Sequence, residues 1–258
     1  MNVVVTGGGT IAPIDDVRFI ANVSSGRFSA AISEACLRRG AAVWHVHAPT
    51  ASLPILREAR FDPDADPDAE RDRLDALRAD WRAVRDRLHL LPLRQGGVAD
   101  YAETLRRVFL DRPIDVALLA MAVSDFEPEP VAGKIDSDAE SFTIRARRAP
   151  KVIRSVRDWS PGVYLVGFKL LSRAEPSDLI RAAETACRTN RADLTVANDL
   201  QSLREGRHTV HLVRPGHPSE TLGPGPSLAE SLVDRVFTLA ACRALRETPA
   251  NEKGPPRG

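Results

Sequence analysis

The residues best placed to do chemistry follow a run of aliphatic residues near the middle of the chain. The segment LLAMAVSD, residues 118–125, ends in Asp125, and Lys134 follows nine residues later. Such aliphatic runs are typical of strands buried on both faces of a parallel sheet, whose ligands bind outside the carboxyl ends of the strands. Met121 and Ala122 would then form an uncluttered floor. The carboxylate would lie at its edge, and the lysine would provide a point charge for phosphate.

Two earlier segments offer groups that bind anions. The sequence Gly7-Gly8-Gly9-Thr10 follows the first predicted strand, so its backbone N–H groups can approach an anion closely; a tight turn is the alternative. It matches neither the GxGxxG nor the GxxxxGK[ST] pattern. Asn22 and Ser24-Ser25-Gly26 precede a predicted helix. They supply donors for a carboxylate or phosphate, unless a serine serves only as the helix N-cap.

Later strand ends carry further polar groups. Phe168-Lys169 and Asn198 lie at the ends of two predicted strands. Several polar strand ends on one rim favour a binding site more than any one of them alone. His45 and His47 share one face of a predicted strand and could bind a metal. Because no third ligand stands at a useful spacing, ordinary packing is the favoured interpretation of this pair.

The order of the predicted elements indicates a sheet, and this sheet would bring the polar residues together. A strand at 3–5, a helix at 28–39 and a strand at 41–48 are the opening of a doubly wound sheet. We therefore predict an α/β, Rossmann-like, doubly wound fold with a mainly parallel sheet and helices on both faces. A single domain is expected over residues 1–246, followed by a disordered tail at 247–258 that is rich in proline and glycine.

Two segments stand apart from this pattern. Residues 70–90 are predicted to form a charged helical insertion, whose apolar stripe suits packing on the sheet or a dimer contact. Residues 127–140 are polar and contain proline, which indicates a mobile loop that carries Lys134.

Composition narrows the class of protein. The chain has 258 residues, 43% of them hydrophobic, and a formal charge of +1, so no strong field indicates nucleic acid or membrane as a partner. The three cysteines are widely spaced and form no CxxC pair, which is typical of a reducing compartment. The first ten residues read as a strand and not as a signal peptide. We expect a cytoplasmic protein.

Taken together, the motifs resemble the phosphopantothenate–cysteine ligases, also called phosphopantothenoylcysteine synthetases. The family's segments stand here as TGGGTIAPIDDVRFIANVSSGR, AMAVSDFEP, GKIDSD, APKVI, VGFKLL and ADLTVANDL, in the family's order and over most of residues 1–213. The resemblance is to the free-standing bacterial type. It implies that a separate flavin-dependent decarboxylase acts next in coenzyme A synthesis, and that the ligase is a homodimer.

The resemblance also implies a reaction and a set of site residues. CTP, or ATP, with Mg²⁺ would activate the carboxylate of 4′-phosphopantothenate as an acyl-nucleotidylate, and the amine of L-cysteine would then displace the nucleotide. Asn22 and Lys134 would serve catalysis, and Asp125 would contact the ribose or the metal. The nucleotide would be held by a larger set: Gly7, Gly8, Gly9, Thr10, Ser24, Ser25, Gly26, Met121, Ala122, Phe168, Lys169 and Asn198.

Some features depart from the family pattern and leave alternatives open. Fused bacterial members carry several lysines in the mobile loop, whereas Asp136 and Asp138 stand here. A related ligase that activates another acid is the nearest alternative. A short-chain-type oxidoreductase is a rival from another class, but its Tyr-x-x-x-Lys pair is missing. A regulatory role without catalysis would leave the polar strand ends unexplained.

Overall fold

The computed structural model describes residues 1–136, 140–225 and 227–247, without the side chain of Glu247. Within these residues the strands are β1 Asn2–Gly7, β2 Ile11–Pro13, β3 Phe19–Ala21, β4 Ala42–His47, β5 Leu88–Pro92, β6 Val116–Leu119, β7 Phe126–Pro128, β8 Ala146–Arg148, β9 Tyr164–Leu171, β10 Leu194–Asp199, β11 Val210–Val213 and β12 Glu220–Leu222. The helices are α1 Arg27–Arg38, α2 Pro67–Val84, α3 Val98–Asp111, α4 Val156–Trp159, α5 Pro176–Thr189, α6 Leu200–Arg204 and α7 Leu228–Glu247, with 3₁₀ turns at Leu56–Glu58 and Val152–Ser155.

One sheet of eight strands organises the molecule, in the order β12-β11-β10-β9-β6-β1-β4-β5. The run from β10 to β5 is parallel, whereas β11 and β12 are antiparallel. In the sheet, β4 pairs with one side of β1, and β6, which comes later in the chain, pairs with the other side. The sheet therefore has a topological switch point between β1 and β6, where ligands of such folds bind.

Helices cover both faces of the sheet, which confirms the predicted fold class. Alternate residues of a strand point to opposite faces. Val3 and Val5 pack with α1 and α7, whereas Val4 packs with α3 and α4. The strands bury both faces, which explains the aliphatic runs in the sequence.

The charged segment differs from its predicted bounds of 70–90. The helix α2 begins at Pro67, where Asp66 caps it through the N–H groups of Asp68 and Ala69, and it ends at Val84. Leu88 fits the helical stripe by spacing, but it is buried in β5 opposite Val43. The stripe is half-buried, and Trp81 and Val84 pack against the core, as predicted for a helix lying on the sheet.

Two small hairpins project near the switch point, and neither was predicted. β2 pairs with β3, and β7 pairs with β8. The first strand of the second hairpin, Phe126–Pro128, overlaps the start of the predicted mobile loop, whose residues 137–139 lie outside the described residues. Mobility of that loop stays a prediction, as does the disordered tail, of which only the backbone of Glu247 is described. No helix among the described residues has the length and apolar character needed to span a membrane.

Candidate active site

An open cleft of about 1600 Å³ lies at the carboxyl edge of the sheet. Its walls come from the segment after β6, the ends of β9 and β10, and the start of α1. This is the position that the switch point between β1 and β6 predicts for a ligand.

Most of the predicted site residues line this cleft. They are Asn22, Ser24, Ser25, Gly26, Met121, Ala122, Asp125, Phe168, Lys169 and Asn198. Gly7, Gly8, Gly9, Thr10 and Lys134 are not among its lining residues. The strand-end residues therefore converge as expected, whereas the glycine segment and the loop lysine lie elsewhere.

The glycine segment is buried beneath the cleft and packs against the protein itself. Gly8 has a φ of +87°, and a Cβ there would lie 2.8 Å from the Cβ atoms of both Ala48 and Ala51. A Cβ on Gly9 would lie 2.4 Å from the backbone oxygen of Asn22. The close approach that requires glycine is thus an approach of the protein itself, by alanine side chains at Gly8 and by backbone at Gly9. Direct contact with a triphosphate stays a prediction.

Asn22 is tied to the strand-end segment from β6. Its Nδ2 donates to the Ala122 carbonyl at 2.9 Å and to Ser124 Oγ at 3.1 Å. Thr10 Oγ1 in turn accepts from the Ser124 N–H at 3.0 Å, so a buried threonine beneath the cleft holds the same turn. This network fixes Asn22 against the cleft floor, because Nδ2 donates to two acceptors at good hydrogen-bond distances.

The start of α1 lies on the cleft wall without an ordinary serine cap. Gly26 is the N-cap, with a φ of 72° and no side-chain capping bond, and Ser25 Oγ accepts the Arg27 N–H only at 3.4 Å. Simple N-capping therefore does not account for the two serines. Their hydroxyls and the first N–H groups of a twelve-residue helix face a region suited to anions.

Asp125 is paired with Lys151, a residue that the sequence argument did not assign. The two side chains form an ion pair at the cleft, and each stays about half exposed, at 61% and 49%. Lys151 lies in the APKVI segment, which was recognised as a family segment in the sequence, but no role was assigned to its lysine. Among the described residues no three His, Cys, Asp or Glu side chains are grouped as metal ligands.

The cleft carries more positive charge than the sequence argument anticipated. Besides Lys151 and Lys169, its lining includes Arg27, Arg57, Arg154, Arg181 and Arg204. Clustered cations in a concave site raise the local concentration of anionic ligands. The overall charge of +1 conceals this local excess.

An aromatic cluster forms another part of the cleft. The rings of Phe28 and His208 lie 4.5 Å apart in an edge-to-face arrangement, and Phe28 also contacts Phe168 at 6.5 Å. Burial lowers the pKa of His208 below its ordinary value. The imidazole is therefore neutral at pH 7, and the cluster presents an apolar, flat surface of the kind that accepts planar ligand groups.

Lys134 lies beside the first hairpin. Its side chain is exposed, while the N–H groups of its neighbours Gly133 and Ile135 donate at 3.1 Å to the carboxylates of Asp16 and Asp15, respectively. The backbone on either side of the lysine is thus attached to the β2–β3 hairpin. Any action of Lys134 on a ligand in the cleft requires its side chain to reach over the cleft rim.

His45 and His47 are buried in β4. Ser33 Oγ lies 2.8 Å from His45 Nδ1, and the Ala48 carbonyl lies 3.0 Å from His47 Nδ1. Burial, with a smaller contribution from the charge of His47, lowers the pKa of His45 to about 3. The pair is buried in the core with a partner at each Nδ1, in agreement with the packing interpretation, although the buried Nε2 of His45 has no partner among the described residues.

The low pKa of His45 predicts a pH-dependent stability. Below the ordinary histidine pKa of about 6.5 the unfolded chain binds a proton that the folded chain excludes. Stability should therefore fall as the pH is lowered from about 6.5 towards 3, by up to about 1.4 kcal/mol per pH unit from this group. Urea unfolding at pH 7, 6 and 5 measures the slope, and His45→Gln should make it shallower. Parallel slopes for both proteins would contradict the assignment.

The fold and the cleft define a Rossmann-like α/β protein with a cleft lined by several cationic side chains at its switch point. The model of the family described as "DNA/pantothenate metabolism flavoprotein C-terminal domain" matches residues 1–60 and 99–239. The chain belongs to this family. The unmatched stretch between these two ranges contains α2 and β5, the charged helix and the edge strand.

Named relatives are similar to most of this chain. A coenzyme A biosynthesis bifunctional protein CoaBC of Thermococcus kodakarensis is 28% identical over 82% of this chain and 44% of its own length. The chain spans about half the length of the archaeal bifunctional relatives that it matches. A phosphopantothenate–cysteine ligase of Mus musculus is 28% identical over 90% of this chain and 81% of its own length. A Cab2 mutant, solved with phosphopantothenate-cysteine, shares the fold with a TM-score of 0.79 at 23% identity, over 96% of this chain and 89% of that one.

Proposed function

We propose that this protein joins 4′-phosphopantothenate to L-cysteine in a nucleotide-dependent reaction of coenzyme A synthesis. The observation that carries the proposal is the cationic cleft at the switch point, whose walls are the same segments that resemble the ligase family. The names of the mouse protein and the other relatives support it. A phosphorylated acid and a nucleotide triphosphate are both strongly anionic, and the clustered lysines and arginines suit such ligands.

The proposed chemistry has two steps. In the first, the carboxylate of 4′-phosphopantothenate attacks the α-phosphorus of CTP or ATP, and pyrophosphate leaves. In the second, the amine of cysteine attacks the acyl carbonyl, and the nucleoside monophosphate leaves. Transfer at phosphorus depends mainly on alignment and charge stabilisation, so the site needs no histidine as a general base for this step.

Each part of the cleft has a place in this scheme. Asn22, fixed by Ala122 and Ser124, would hold the acyl intermediate for attack by the amine. The start of α1 with Ser24, Ser25 and Gly26 would bind phosphates. Gly7, Gly8, Gly9 and Thr10 would support this wall from beneath. Met121, Ala122, Phe168, Lys169 and Asn198 complete the nucleotide site.

Asp125 fits Mg²⁺ only as one ligand among several. It is a single, half-exposed carboxylate already paired with Lys151, and Mg²⁺ is commonly bound by one or two carboxylates together with substrate phosphates and water. When bound there, Mg²⁺ would neutralise charge on the triphosphate. The alternative role of Asp125 is contact with the ribose, and in either role Lys151 would hold the carboxylate in place.

A pyrophosphate-release assay tests the proposal directly. The protein is mixed with 4′-phosphopantothenate, Mg²⁺ and either CTP or ATP, first without cysteine and then with it. Pyrophosphate should require the acid, and mass spectrometry should detect the amide only after cysteine is added. Replacing the acid by other phosphorylated acids identifies a related ligase with another substrate. Absence of release with both nucleotides and every acid would overturn the ligase proposal.

Lys134 is proposed to act from the rim by neutralising charge on the triphosphate. Lys134→Gln should therefore lower the first step by roughly 10²-fold, the scale for losing a fixed charge where charge develops. Single-turnover pyrophosphate release measures that step. Lys253→Gln, in the predicted disordered tail, is a matched control. If the two variants have equal rates, Lys134 has no part in the reaction.

The protein is further proposed to be a homodimer through its projecting hairpins. These hairpins and the connected loop expose six large apolar side chains, those of Val17, Phe19, Ile20, Phe126, Val131 and Phe142. Apolar side chains exposed together in this way would suit an interaction surface. We also propose that the protein acts in the cytoplasm and that a separate decarboxylase acts on its product.

A single charge on this surface should disrupt the dimer. Phe19, which is 60% exposed, lies on β3, whereas Phe61 is 74% exposed and lies before α2. Phe19→Glu should weaken association by at least roughly tenfold, because a buried unpaired carboxylate is costly. Phe61→Glu should leave association unchanged. Analytical ultracentrifugation of both variants measures this. A wild-type monomer, or equal association of the two variants, would contradict the proposed interface.

A further inference from the structure

A small cationic pocket opens beside the main cleft. It has a volume of about 90 Å³ and is lined by Arg27, Ser52, Arg57, Glu58 and Arg60. Arg27, Arg57 and Glu58 line the cleft as well, so the two spaces share a wall. The volume is several times the roughly 10–15 Å³ required for one water molecule.

Arg57 is held rigidly in the wall of this pocket. Its Nη2 donates to Glu34 Oε2 at 2.8 Å, and its Nε donates to Glu58 Oε1 at 2.9 Å. The remaining nitrogen, Nη1, is buried and has no hydrogen-bond partner within the described part of the chain. A buried N–H group without a partner is costly, so an acceptor that reached Nη1 after a small shift of the side chain would be bound favourably.

The backbone beside Arg57 is strained. Ile55 has a φ of 63° and a ψ of −51°, which is a rare conformation for a β-branched residue. Its N–H donates to Glu34 Oε1 at 2.6 Å, so one carboxylate holds both the strained residue and the guanidinium. Strain of this kind persists where the surrounding structure requires it, and it is common at ligand sites.

We infer that this pocket binds a phosphate group, with Arg57 as its central donor. Arg27 and Arg60 add positive charge, and Ser52 adds a hydroxyl donor. Arg57 is paired with both Glu34 and Glu58, so the three arginines and these two carboxylates carry a formal charge of +1 in total. Guanidinium groups suit phosphate because they present several donors in a planar arrangement.

This inference rests on the proposed function, which supplies two sources of phosphate. One is the phosphate monoester of the acid substrate, and the other is the β- and γ-phosphates of the nucleotide. Both sources share the chemistry of a tetrahedral phosphate. The pocket therefore determines the placement of one substrate relative to the reacting carboxylate.

Kinetics of Arg57→Gln and Arg60→Gln distinguish the two sources. Arg60→Gln leaves the ion pair between Arg57 and Glu34 in place, so it serves as a second variant if Arg57→Gln fails to fold. Loss of a hydrogen bond to a charged group should raise one KM by roughly 10- to 100-fold. If the acid's phosphate occupies the pocket, KM for 4′-phosphopantothenate rises, and the preference over pantothenate falls. If the nucleotide occupies it, KM for CTP or ATP and the inhibition constant of pyrophosphate rise instead.

A matched control and a binding experiment complete the test. Arg85→Gln removes an exposed arginine just after α2, away from the pocket, and should leave both KM values unchanged. Calorimetric titration with inorganic pyrophosphate or inorganic phosphate measures binding without turnover. It therefore separates failure of this pocket from failure of the ligase proposal. If a folded Arg57→Gln or Arg60→Gln variant keeps both KM values and both anion affinities of the wild type, the phosphate site is overturned.

Discussion

Asn22→Ala should lower the rate of amide formation by roughly 10²- to 10³-fold, the scale observed when one positioned donor is removed from an active site. Asn22 directly follows β3, and its side chain contacts the cleft floor. Its Nδ2 donates to Ala122 O at 2.9 Å and to Ser124 Oγ at 3.1 Å. Removing it takes a positioned amide group from the cleft and frees the two acceptors. Asn22→Asp should also be slow, because a carboxylate cannot donate to these oxygens and repels an anionic intermediate.

The measurement separates the two chemical steps. Pyrophosphate release reports the first step, and the amide product reports the second, so loss of the second alone would show the acyl-nucleotidylate accumulating. Asn2→Ala is the matched control, because Asn2 lies at the opposite end of β1 and donates to the Pro113 carbonyl at 2.9 Å. If Asn22→Ala forms the amide as fast as Asn2→Ala does, Asn22 has no role in the reaction.

The sequence was informative wherever local pattern and sheet topology acted together. The helix predicted at 28–39 runs from Arg27 to Arg38, one residue away at each end, because its small and apolar positions recur with helical spacing. The convergence of Met121, Phe168 and Asn198 followed from a general property, since parallel strands end at one edge of the sheet. None of these conclusions required knowledge of distant contacts.

The missed features depend either on strands too short to show a pattern or on contacts between residues far apart in the sequence. β2 and β3 have three residues each, and β3 is exposed along its whole length, so no alternation marks it. The pairing of Lys151 with Asp125 spans 26 residues. The predicted helix ran past Val84 because Leu88 satisfies helical spacing, and only pairing with β4 shows that it belongs to a strand. Patterns along the chain contain no information about such partners.

The glycine segment shows most clearly the difference between local pattern and contacts in the fold. Its residue types were recognised from the sequence, but the residues that pack against it were not. Three glycines after a strand are equally suited to a phosphate and to neighbouring backbone. The segments that decide between these possibilities are residues 48–51 and Asn22, which pack against Gly8 and Gly9. Gly9 in particular lets the backbone of Asn22 lie where a side chain would otherwise be.

Gly9→Ala should therefore damage the site through Asn22. The new Cβ would lie 2.4 Å from the Asn22 oxygen and 3.2 Å from its Cβ, so the hairpin region must shift. Overpacking of this kind costs about 1–3 kcal/mol of stability. Activity should fall by at least roughly 10²-fold, close to Asn22→Ala, because the same donor is displaced. Gly162→Ala is the matched control, since a Cβ there meets nothing within 4 Å.

The double variant identifies how Gly9 acts. If Gly9 serves only to place Asn22, Gly9→Ala should add little further loss of activity in the Asn22→Ala background, because the two changes remove the same interaction. If instead Gly9 contacts the triphosphate directly, the losses should multiply, and KM for the nucleotide should rise in both backgrounds. Denaturant unfolding of all four proteins corrects for stability. A fully active Gly9→Ala variant would show that the cleft tolerates displacement of Asn22, and it would remove the positioning argument for both residues.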